Sequence, residues 1–445
     1  MLAWVRTSAL EPRSESGILP VEPPTPYVHY FGDASSGRRV LVIHGLDTSK
    51  ESMWLIASAL ADGGFDVYRI DLPGHGDSKE AFRTDLAEKA IRNSRTYLGN
   101  ETIVLGHSFG AGLLLDLAAA DHFSTMVLLA PPPMPLAEIN ADRVLIATGA
   151  IDIPKIRSFV PLAADIGGPR IESWILPWGG HGSGILNPRH IDRIVSWLGE
   201  GAGPTRTKNR ILWSITMFIA GVAEGIALLP CRKVAVSGTP ATQLLARYAC
   251  CFGLAMFILR FVNPASPLRL FTTDYLIGFL LLAGILLLVA GSDWPRRQAG
   301  SSPYVRSVLS AAFVVAVLGF IATSRILHIP LSGGRWWRFP CIVLAGLPMF
   351  IADETGVRRL SPRWKSEAAA LLTRGLMLAF ILTGVLTLNR KAAFLVLITP
   401  LITLFWIALW FAAGVVHRHT QNPLAAALFA ALVQGWAFAA WFVTI

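Results

Sequence analysis

The stretch Thr102-Ile103-Val104-Leu105-Gly106-His107-Ser108-Phe109-Gly110-Ala111-Gly112-Leu113 decides the fold of the first half of this chain. Its first four residues predict a buried strand, and the run after Gly110 predicts a helix. Gly-x-Ser-x-Gly between a strand and a helix is the pattern of a nucleophile elbow, a turn so tight that the serine backbone is strained. The two glycines remove Cβ atoms that would clash in this turn, so Ser108 is a candidate nucleophile.

Strands and helices alternate on both sides of this elbow. Apolar runs typical of strands occupy residues 40–45, 66–71, 102–105, 126–130, 144–148 and 173–176, and helical patterns occupy 51–62, 81–98, 111–118 and 188–199. Continuous apolar strands that alternate with helices predict a mostly parallel sheet covered on both faces. In such sheets, sites form at the carboxyl ends of the strands.

Two further residues at strand ends complete a possible catalytic set. A serine needs a neighbouring base, and His181 lies in the glycine-rich loop Trp178-Gly179-Gly180-His181-Gly182 after the last predicted strand. The base needs a carboxylate to orient it, and Asp152 follows the strand that ends at Thr148. The sequence therefore predicts Ser108 as nucleophile, His181 as base and Asp152 as its partner.

These segments together resemble the α/β-hydrolase family, most closely its lipase-like and aminopeptidase-like serine hydrolases. The resemblance covers roughly residues 27–200 and rests on five segments in the family's order, namely Ile43-His44-Gly45-Leu46, Leu72-Pro73-Gly74-His75-Gly76-Asp77-Ser78, Gly106–Gly110, Gly149-x-x-Asp152 and Gly180-His181-Gly182. It implies that the backbone N–H groups of Leu46 and Phe109 bind the oxyanion. No cofactor is expected, and no metal site is expected from the spacing of ligand residues in the sequence. The serine nucleophile argues against the dehalogenase and epoxide-hydrolase chemistries of this fold.

The site is expected to be uncapped. Many relatives insert a helical cap after the strand that follows the elbow. Here only thirteen residues separate Ala130 from Val144, and four of them are proline, which leaves no room for a helical domain.

The second half has the composition of a membrane domain. Residues 1–204 hold 17 Lys and Arg against 23 Asp and Glu, whereas residues 205–445 hold 22 against 6. The basic residues of the second half flank long apolar runs, as in membrane-protein loops, so no nucleic-acid partner is expected. Eight candidate spans occur at 211–230, 243–262, 272–291, 305–327, 339–352, 367–388, 392–416 and 423–445, of which 339–352 is short.

The expected organisation is an N-terminal extension at 1–26, a hydrolase domain at 27–200, a basic linker at 201–210 and a transmembrane domain of seven or eight helices at 211–445. The start of the chain lacks the apolar core of a signal peptide, and Arg206, Lys208 and Arg210 precede the first span. We therefore expect a multi-pass protein of the bacterial inner membrane with a cytoplasmic hydrolase domain.

A few polar residues fall within or beside the spans. Glu224 and Arg374 lie clearly inside apolar runs, and Asp353-Glu354 lies at the end of one. Pairing between helices is the expected role of these groups, with an ion path through Glu224 as the alternative. His417 and His419 are expected in a solvated loop. The pair Trp336-Trp337 is typical of an interfacial belt.

Three functions fit these patterns. The first is a membrane-tethered serine hydrolase that cleaves carboxylic esters, with small-molecule esters, lipid esters and acyl thioesters as candidate substrates and membrane lipid as a partner. The second is a peptidase or amidase that uses the same residues, with Asp47 or Asp71 as the group that would hold a substrate amine. The third is a membrane transporter or sensor with an accessory hydrolase domain.

Overall fold

A computed structural model describes residues 9–32, 37–134, 139–199, 205–213, 216, 240–291, 331, 335–392, 395–420 and 422–442. The chain divides into two compact units. The first holds the described residues up to 216, and the second holds those from 240 to 442. Each unit is treated separately below.

The first unit is built on an eight-stranded sheet in the order β1-β2-β4-β3-β5-β6-β7-β8. The two contacts made by β2 are antiparallel and all the others are parallel, which confirms the predicted mostly parallel sheet. The strands are β1 (Ser14–Leu19), β2 (Thr25–Tyr30), β3 (Arg39–Ile43), β4 (Asp66–Ile70), β5 (Ile103–His107), β6 (Phe123–Leu129), β7 (Ala141–Gly149) and β8 (Ile171–Leu176).

Helices cover both faces of this sheet. They are α1 (Trp54–Asp62), α2 (Thr84–Leu98), α3 (Phe109–Ala118), α4 (Pro154–Gly167), α5 (Ser183–Leu186) and α6 (Pro188–Leu198). Helices α1, α5 and α6 contribute side chains to the apolar core on one face. Helices α2, α3 and α4 contribute to the core on the other face. The result is the three-layer α/β architecture predicted from the sequence.

The central strands explain why the sheet is covered on both sides. Val40, Leu41, Val42 and Ile43 of β3 have no solvent exposure, so side chains on both faces of this strand are buried. Strand β3 pairs with β5 in a register that sets Ile43 opposite Gly106. The loop after β3 and the elbow after β5 therefore leave the sheet at the same level.

The N-terminal boundary differs from the expectation. The segment 1–26, expected to be an extension, supplies β1 and the start of β2 at the edge of the sheet. All of β1 except Leu19 is exposed, so its sequence lacks the apolar run of a buried strand. Helix α4 is a further element that the sequence did not predict, and it contains Pro161. This proline hid the helix, because proline is disfavoured in helix interiors.

The expected linker at 201–210 is helical from residue 207. Arg210 is fully buried and forms an ion pair with Asp62 at 2.6 Å. Its guanidinium also donates to the backbone oxygen of Leu10. This basic residue is therefore part of the first unit rather than of a solvated connection.

The connection between β6 and β7 carries no cap in the part of it that is described. Residues 131–134 and 139–140 are neither helix nor strand. Asn140 N donates to the backbone oxygen of Ala118, which keeps this connection close to the end of α3.

In its described residues, the second unit is built mainly of apolar helices. They are α7 (Ala241–Leu259), α8 (Thr273–Ala290), α9 (Arg335–Thr355), α10 (Arg363–Thr383), α11 (Leu395–Thr420) and α12 (Pro423–Trp441). Each is long and apolar enough to cross a membrane, which fits a multi-pass membrane protein. The short candidate 339–352 belongs to the 21-residue helix α9. The candidates 305–327 and most of 211–230, with Glu224, lie outside the described residues, so the seven or eight spans stay a prediction.

Buried ion pairs join the helices of the second unit. Arg374 of α10 lies 2.6 Å from Asp353 of α9, which confirms the expected pairing between helices. Glu354 pairs with Arg358 and with His417, both at 2.7 Å. The prediction that His417 lies in a solvated loop is therefore wrong. Helix α11 continues to Thr420, and the carboxylate of Glu354 supplies a partner for the buried imidazole.

Candidate active site

The turn between β5 and α3 has the geometry of a nucleophile elbow. Ser108 has φ 52° and ψ −115°, a conformation rarely adopted by residues other than glycine. A Cβ on Gly106 would lie 2.7 Å from the backbone nitrogen of Ala111, and one on Gly110 would lie 2.6 Å from the carbonyl oxygen of His44. Glycine is therefore required at both positions for the turn to close.

The structure brings together the three side chains predicted to form the site. Nε2 of His181 lies 2.9 Å from Oγ of Ser108. Nδ1 of the same ring lies 3.1 Å from each carboxylate oxygen of Asp152. With the proton on Nδ1, the ring donates to Asp152 and accepts from the hydroxyl of Ser108. This is the arrangement that lets a histidine act as the base toward a serine.

Asp152 is buried, and both of its carboxylate oxygens accept hydrogen bonds. Its Oδ2 accepts from Oγ1 of Thr148 at 2.6 Å, and its Oδ1 accepts from the backbone nitrogen of Ile153 at 2.7 Å. Burial alone would raise the pKa of the Asp152 carboxyl, but the hydrogen bonds from His181 and Thr148 lower it below its ordinary value. Asp152 is therefore ionised at neutral pH, as an orienting carboxylate must be. Thr148 was not singled out from the sequence, and its place four residues before Asp152 is the only signal.

His107 supports the loop that carries His181. Its Nε2 lies 3.1 Å from the backbone carbonyl oxygen of His181, and the two rings lie 5.2 Å apart between centroids. Burial and the nearby His181 lower the pKa of His107 to about 4. His107 is therefore neutral at pH 7 and donates its Nε2 proton to that carbonyl oxygen. This fits the expectation that it packs beside the nucleophile without acting as a base.

The peptide group between Gly45 and Leu46 is held rigidly next to the elbow. The carbonyl oxygen of Gly45 accepts from Nδ1 of His44 at 2.7 Å and from Oγ1 of Thr48 at 2.9 Å. The backbone nitrogen of Leu72 donates to Nε2 of His44 at 3.1 Å, which places the imidazole proton on Nδ1. Because a peptide is planar, fixing this carbonyl also fixes the direction of the Leu46 N–H.

The two expected oxyanion donors belong to segments next to the nucleophile. A Cβ on Gly45 would be 3.2 Å from Cβ of Ser108, so the Leu46 peptide adjoins the nucleophile. Phe109 is the first residue of α3, where backbone N–H groups have no partner inside the helix. Helix N-termini favour negative charge, so this end of α3 suits a developing oxyanion. The donor roles of Leu46 and Phe109 stay predictions.

An ion cluster centred on the buried Lys50 connects the loop after β3 to the turn after β4. Nζ of Lys50 lies 2.6 Å from Asp71 and 2.6 Å from Asp77. The backbone nitrogen of Lys50 donates to the other Asp71 oxygen at 2.8 Å. Burial alone would raise the pKa of Asp71, but the Lys50 ammonium lowers it below its ordinary value. Asp71 is thus committed to Lys50, and the sequence-based suggestion that it holds a substrate amine is not supported.

Within the described part of the chain, no group of three or more His, Cys, Asp or Glu side chains lies close enough to hold a metal ion. The chemistry available at the site is that of an activated serine, a neutral imidazole and an ionised carboxylate. That set suits acyl transfer through a covalent intermediate.

Comparison with known families agrees with this geometry. Residues 40–180 match the model of the alpha/beta hydrolase family. The matched range runs from β3 to the loop that carries His181 and so includes Ser108 and Asp152. The first unit is therefore an α/β-hydrolase domain, and the protein is a hydrolase.

Three solved structures are similar to part of the chain. A carboxylesterase, CesB from Bacillus subtilis, is 14% identical, with 45% of this chain and 97% of that one covered at a TM-score of 0.37. A monoacylglycerol lipase from Paleococcus ferrophilus is 18% identical, with coverages of 39% and 97% and a TM-score of 0.34. A serine hydrolase without lid from Xanthomonas campestris is 20% identical, with coverages of 41% and 92% and a TM-score of 0.36.

Proposed function

We propose that the protein is a membrane-tethered serine hydrolase that cleaves carboxylic esters. The observation that carries this proposal is the chain of hydrogen bonds from Ser108 through His181 to Asp152, which starts at a serine with strained backbone at the end of a central strand. A serine held in this way has the base and the exposure that acyl transfer needs. The helices of the second unit are the proposed tether.

The proposed reaction has two steps. Oγ of Ser108 attacks the ester carbonyl while Nε2 of His181 takes the hydroxyl proton, and the N–H groups of Leu46 and Phe109 stabilise the oxyanion. Collapse of this intermediate breaks the ester C–O bond, and His181 returns the proton to the leaving alcohol. A water molecule then attacks the acyl-enzyme with His181 as base, which releases the carboxylic acid and restores Ser108. Asp152 stays ionised and stabilises the imidazolium in both steps.

An ester is favoured over an amide because of what surrounds the site. The peptidase alternative needs a carboxylate that can hold a substrate amine. Of the two candidates, Asp71 is already bonded to Lys50, and Asp47 is buried. The described part of the β6–β7 connection also contributes no helix above the site. A site without a helical cap in the described part of this connection suits amphipathic esters.

A fluorophosphonate probe tests the nucleophile directly. Membranes that contain the full chain would be labelled for wild type, Ser108→Ala and Ser124→Ala. Ser124 is the matched control, because it lies at the amino end of β6 and its Oγ contacts the backbone oxygen of Glu101. We expect labelling of wild type and of Ser124→Ala, with none in Ser108→Ala. Unlabelled wild type that is monodisperse and folded would contradict the proposal.

Bond preference is measured separately. The detergent-purified chain would be assayed on p-nitrophenyl butyrate and on matched p-nitroanilides. We expect hydrolysis of the ester that disappears in Ser108→Ala. Faster cleavage of the anilides than of the ester would favour the peptidase or amidase alternative.

A further inference from the structure

Three apolar side chains are exposed on the loops that carry the base and its carboxylate. Ile151, next to Asp152, is 70% exposed, Trp178 is 90% exposed, and Leu186, which follows His181 on α5, is 54% exposed. We call these three residues the apolar rim. Single exposed apolar residues are common, but an almost fully exposed tryptophan grouped with two aliphatic residues beside a site indicates a surface that contacts something apolar.

The members of the apolar rim belong to adjoining loops. The backbone nitrogen of Ile151 donates to the oxygen of Gly179 at 2.8 Å, which ties the loop after β7 to the loop after β8. A Cβ on Gly182 would lie 3.4 Å from Cδ1 of Leu186, so Leu186 packs on the backbone just after His181. The apolar rim therefore borders the base of the proposed active site.

The backbone conformation at Trp178 is unusual for an exposed tryptophan. Trp178 has φ 55°, a left-handed conformation that is costly for a large side chain. The surrounding loops impose this conformation, because the backbone nitrogen of Ala150 donates to the oxygen of Leu176 at 2.9 Å beside the Ile151–Gly179 bond. Backbone strain that the neighbouring structure maintains is common at functional sites.

Two cations accompany the apolar rim. Lys155 and Arg157 lie exposed in the first turn of α4. The guanidinium of Arg157 donates to the backbone oxygen of Ala150 at 2.9 Å, so its charge is held next to Ile151. Exposed tryptophan and aliphatic side chains beside lysine and arginine form the combination that binds the interface of an anionic bilayer.

We propose that the apolar rim, with Lys155 and Arg157, inserts into the interface of an anionic lipid bilayer, so that Ser108 takes ester substrates from the membrane rather than from water. The bilayer is the chosen partner because the cations complement anionic lipid headgroups and because the chain carries its own helices able to cross a membrane. The substrate part of this inference rests on the hydrolase function proposed for Ser108.

The full chain would be placed in nanodiscs of phosphatidylcholine alone or with phosphatidylglycerol added. Wild type would be compared with Ile151→Ser/Trp178→Ser and with Tyr97→Ser. Tyr97 is the matched control, because it is an exposed aromatic residue far from the carboxyl ends of the strands. It lies at the end of α2, where the neighbouring Leu98 contacts Arg39 at the start of β3. Each protein would be assayed on water-soluble p-nitrophenyl butyrate and on a fluorogenic diacylglycerol embedded in the nanodisc.

We expect the activity of the double variant on the embedded ester to be at least about tenfold lower than that of wild type. Its activity on the soluble ester should stay within about twofold of wild type. Lys155→Glu should reduce activity on the embedded ester only in nanodiscs that contain phosphatidylglycerol. Equal loss on both esters would show that the apolar rim is a wall of the active site, and no loss on the embedded ester would show that it does not bind lipid. Either result overturns the proposal.

Hydrogen exchange measures docking without any activity. In wild type, amides of residues 150–157 and 177–186 should exchange several-fold more slowly in phosphatidylglycerol nanodiscs than in phosphatidylcholine alone, and the difference should vanish in the double variant. Equal exchange in the two lipids would overturn docking. Slower exchange that depends on the number of protein copies per nanodisc, and not on lipid charge, would also overturn docking. It would indicate contact with a second copy of the chain. If docking persists while no ester is cleaved and Ser108 is not labelled, the proposed function fails and the docking surface stands.

Discussion

Nε2 of His107 lies 3.1 Å from the backbone carbonyl oxygen of His181, so the residue before the nucleophile holds the loop of the proposed base. The side chain of His107 is buried, and the shared elbow fixes its position relative to Ser108. One buried imidazole thus links the two loops whose separation determines whether Ser108 and His181 can exchange a proton.

The burial of His107 makes stability depend on pH. The pKa of His107 falls from 6.5 to about 4 on folding, so between these values the unfolded chain binds a proton that the folded chain does not. Stability is therefore complete above pH 6.5 and decreases as the pH falls toward 4, by up to about 3 kcal/mol from this group. His107→Gln, which keeps a donor without titrating, should flatten the decrease. Thermal unfolding of the full chain in detergent between these pH values measures it, and an equally steep decrease in the variant would contradict the assignment.

The Asp152 contacts predict a graded loss of activity. Asp152→Asn should lower kcat by about 10³–10⁴, because an amide favours the wrong imidazole tautomer. Thr148→Val removes one hydrogen bond to the carboxylate and should lower kcat by about tenfold, with the fold intact. Thr125→Val, at the amino half of β6, is the control and should keep wild-type rates. Ester hydrolysis measures all three, and a wild-type rate in Asp152→Asn would remove Asp152 from the mechanism.

The fixed Gly45–Leu46 peptide predicts an effect on rate rather than on binding. Thr48→Val deletes one of the two hydrogen bonds to the Gly45 carbonyl and so loosens the Leu46 N–H. We expect kcat to fall about tenfold, less than the 10²–10³ typical of losing an oxyanion donor outright, with KM little changed. Thr96→Val on α2 is the matched control, since its hydroxyl contacts only the local Arg92 oxygen in the described structure. A rise in KM at constant kcat would assign Thr48 to substrate binding instead.

The Lys50–Asp71 pair predicts a loss of stability that a second substitution repairs. Lys50→Met leaves the buried carboxylate of Asp71 without its ammonium partner and should destabilise the first unit by about 3–5 kcal/mol. Lys50→Met/Asp71→Asn should recover part of this loss, because the uncompensated charge is gone. The exposed Lys79→Met is the control and should stay within about 0.5 kcal/mol of wild type. Thermal unfolding ranks the stability of these variants. Equal destabilisation by Lys50→Met and Lys79→Met would contradict the prediction.

The Arg374–Asp353 pair makes the same prediction inside the membrane unit. Arg374→Met should destabilise the second unit strongly, since Asp353 keeps only Tyr248 as a described partner there. Arg374→Met/Asp353→Asn should be closer to wild type than either single variant. Arg363→Met, which breaks an exposed pair with Glu367, is the control and should have little effect. Resistance to thermal aggregation in detergent measures the series.

Some of the fold was predictable because it depends on local pattern. Three neighbouring segments predict the same strand–turn–helix unit: the apolar run of β5, the Gly-x-Ser-x-Gly turn and the apolar start of α3. The edge strand β1 was missed because five of its six residues are exposed and carry no apolar periodicity. Helix α4 was missed because Pro161 interrupts its pattern, although its buried residues Phe159 and Val160 pack into the core.

By itself the sequence determined the α/β class, the membrane composition of the second half, and Ser108, Asp152 and His181 as candidates, since their chemistry depends on residue type and order along the chain. Only the tertiary structure decided which atoms meet. The bonds of His107 to the His181 carbonyl and of Lys50 to Asp71 join residues on different loops or strand ends. These pairings follow from the register of parallel strands, which sets distant strand ends at one edge, and no local pattern in the sequence encodes that register.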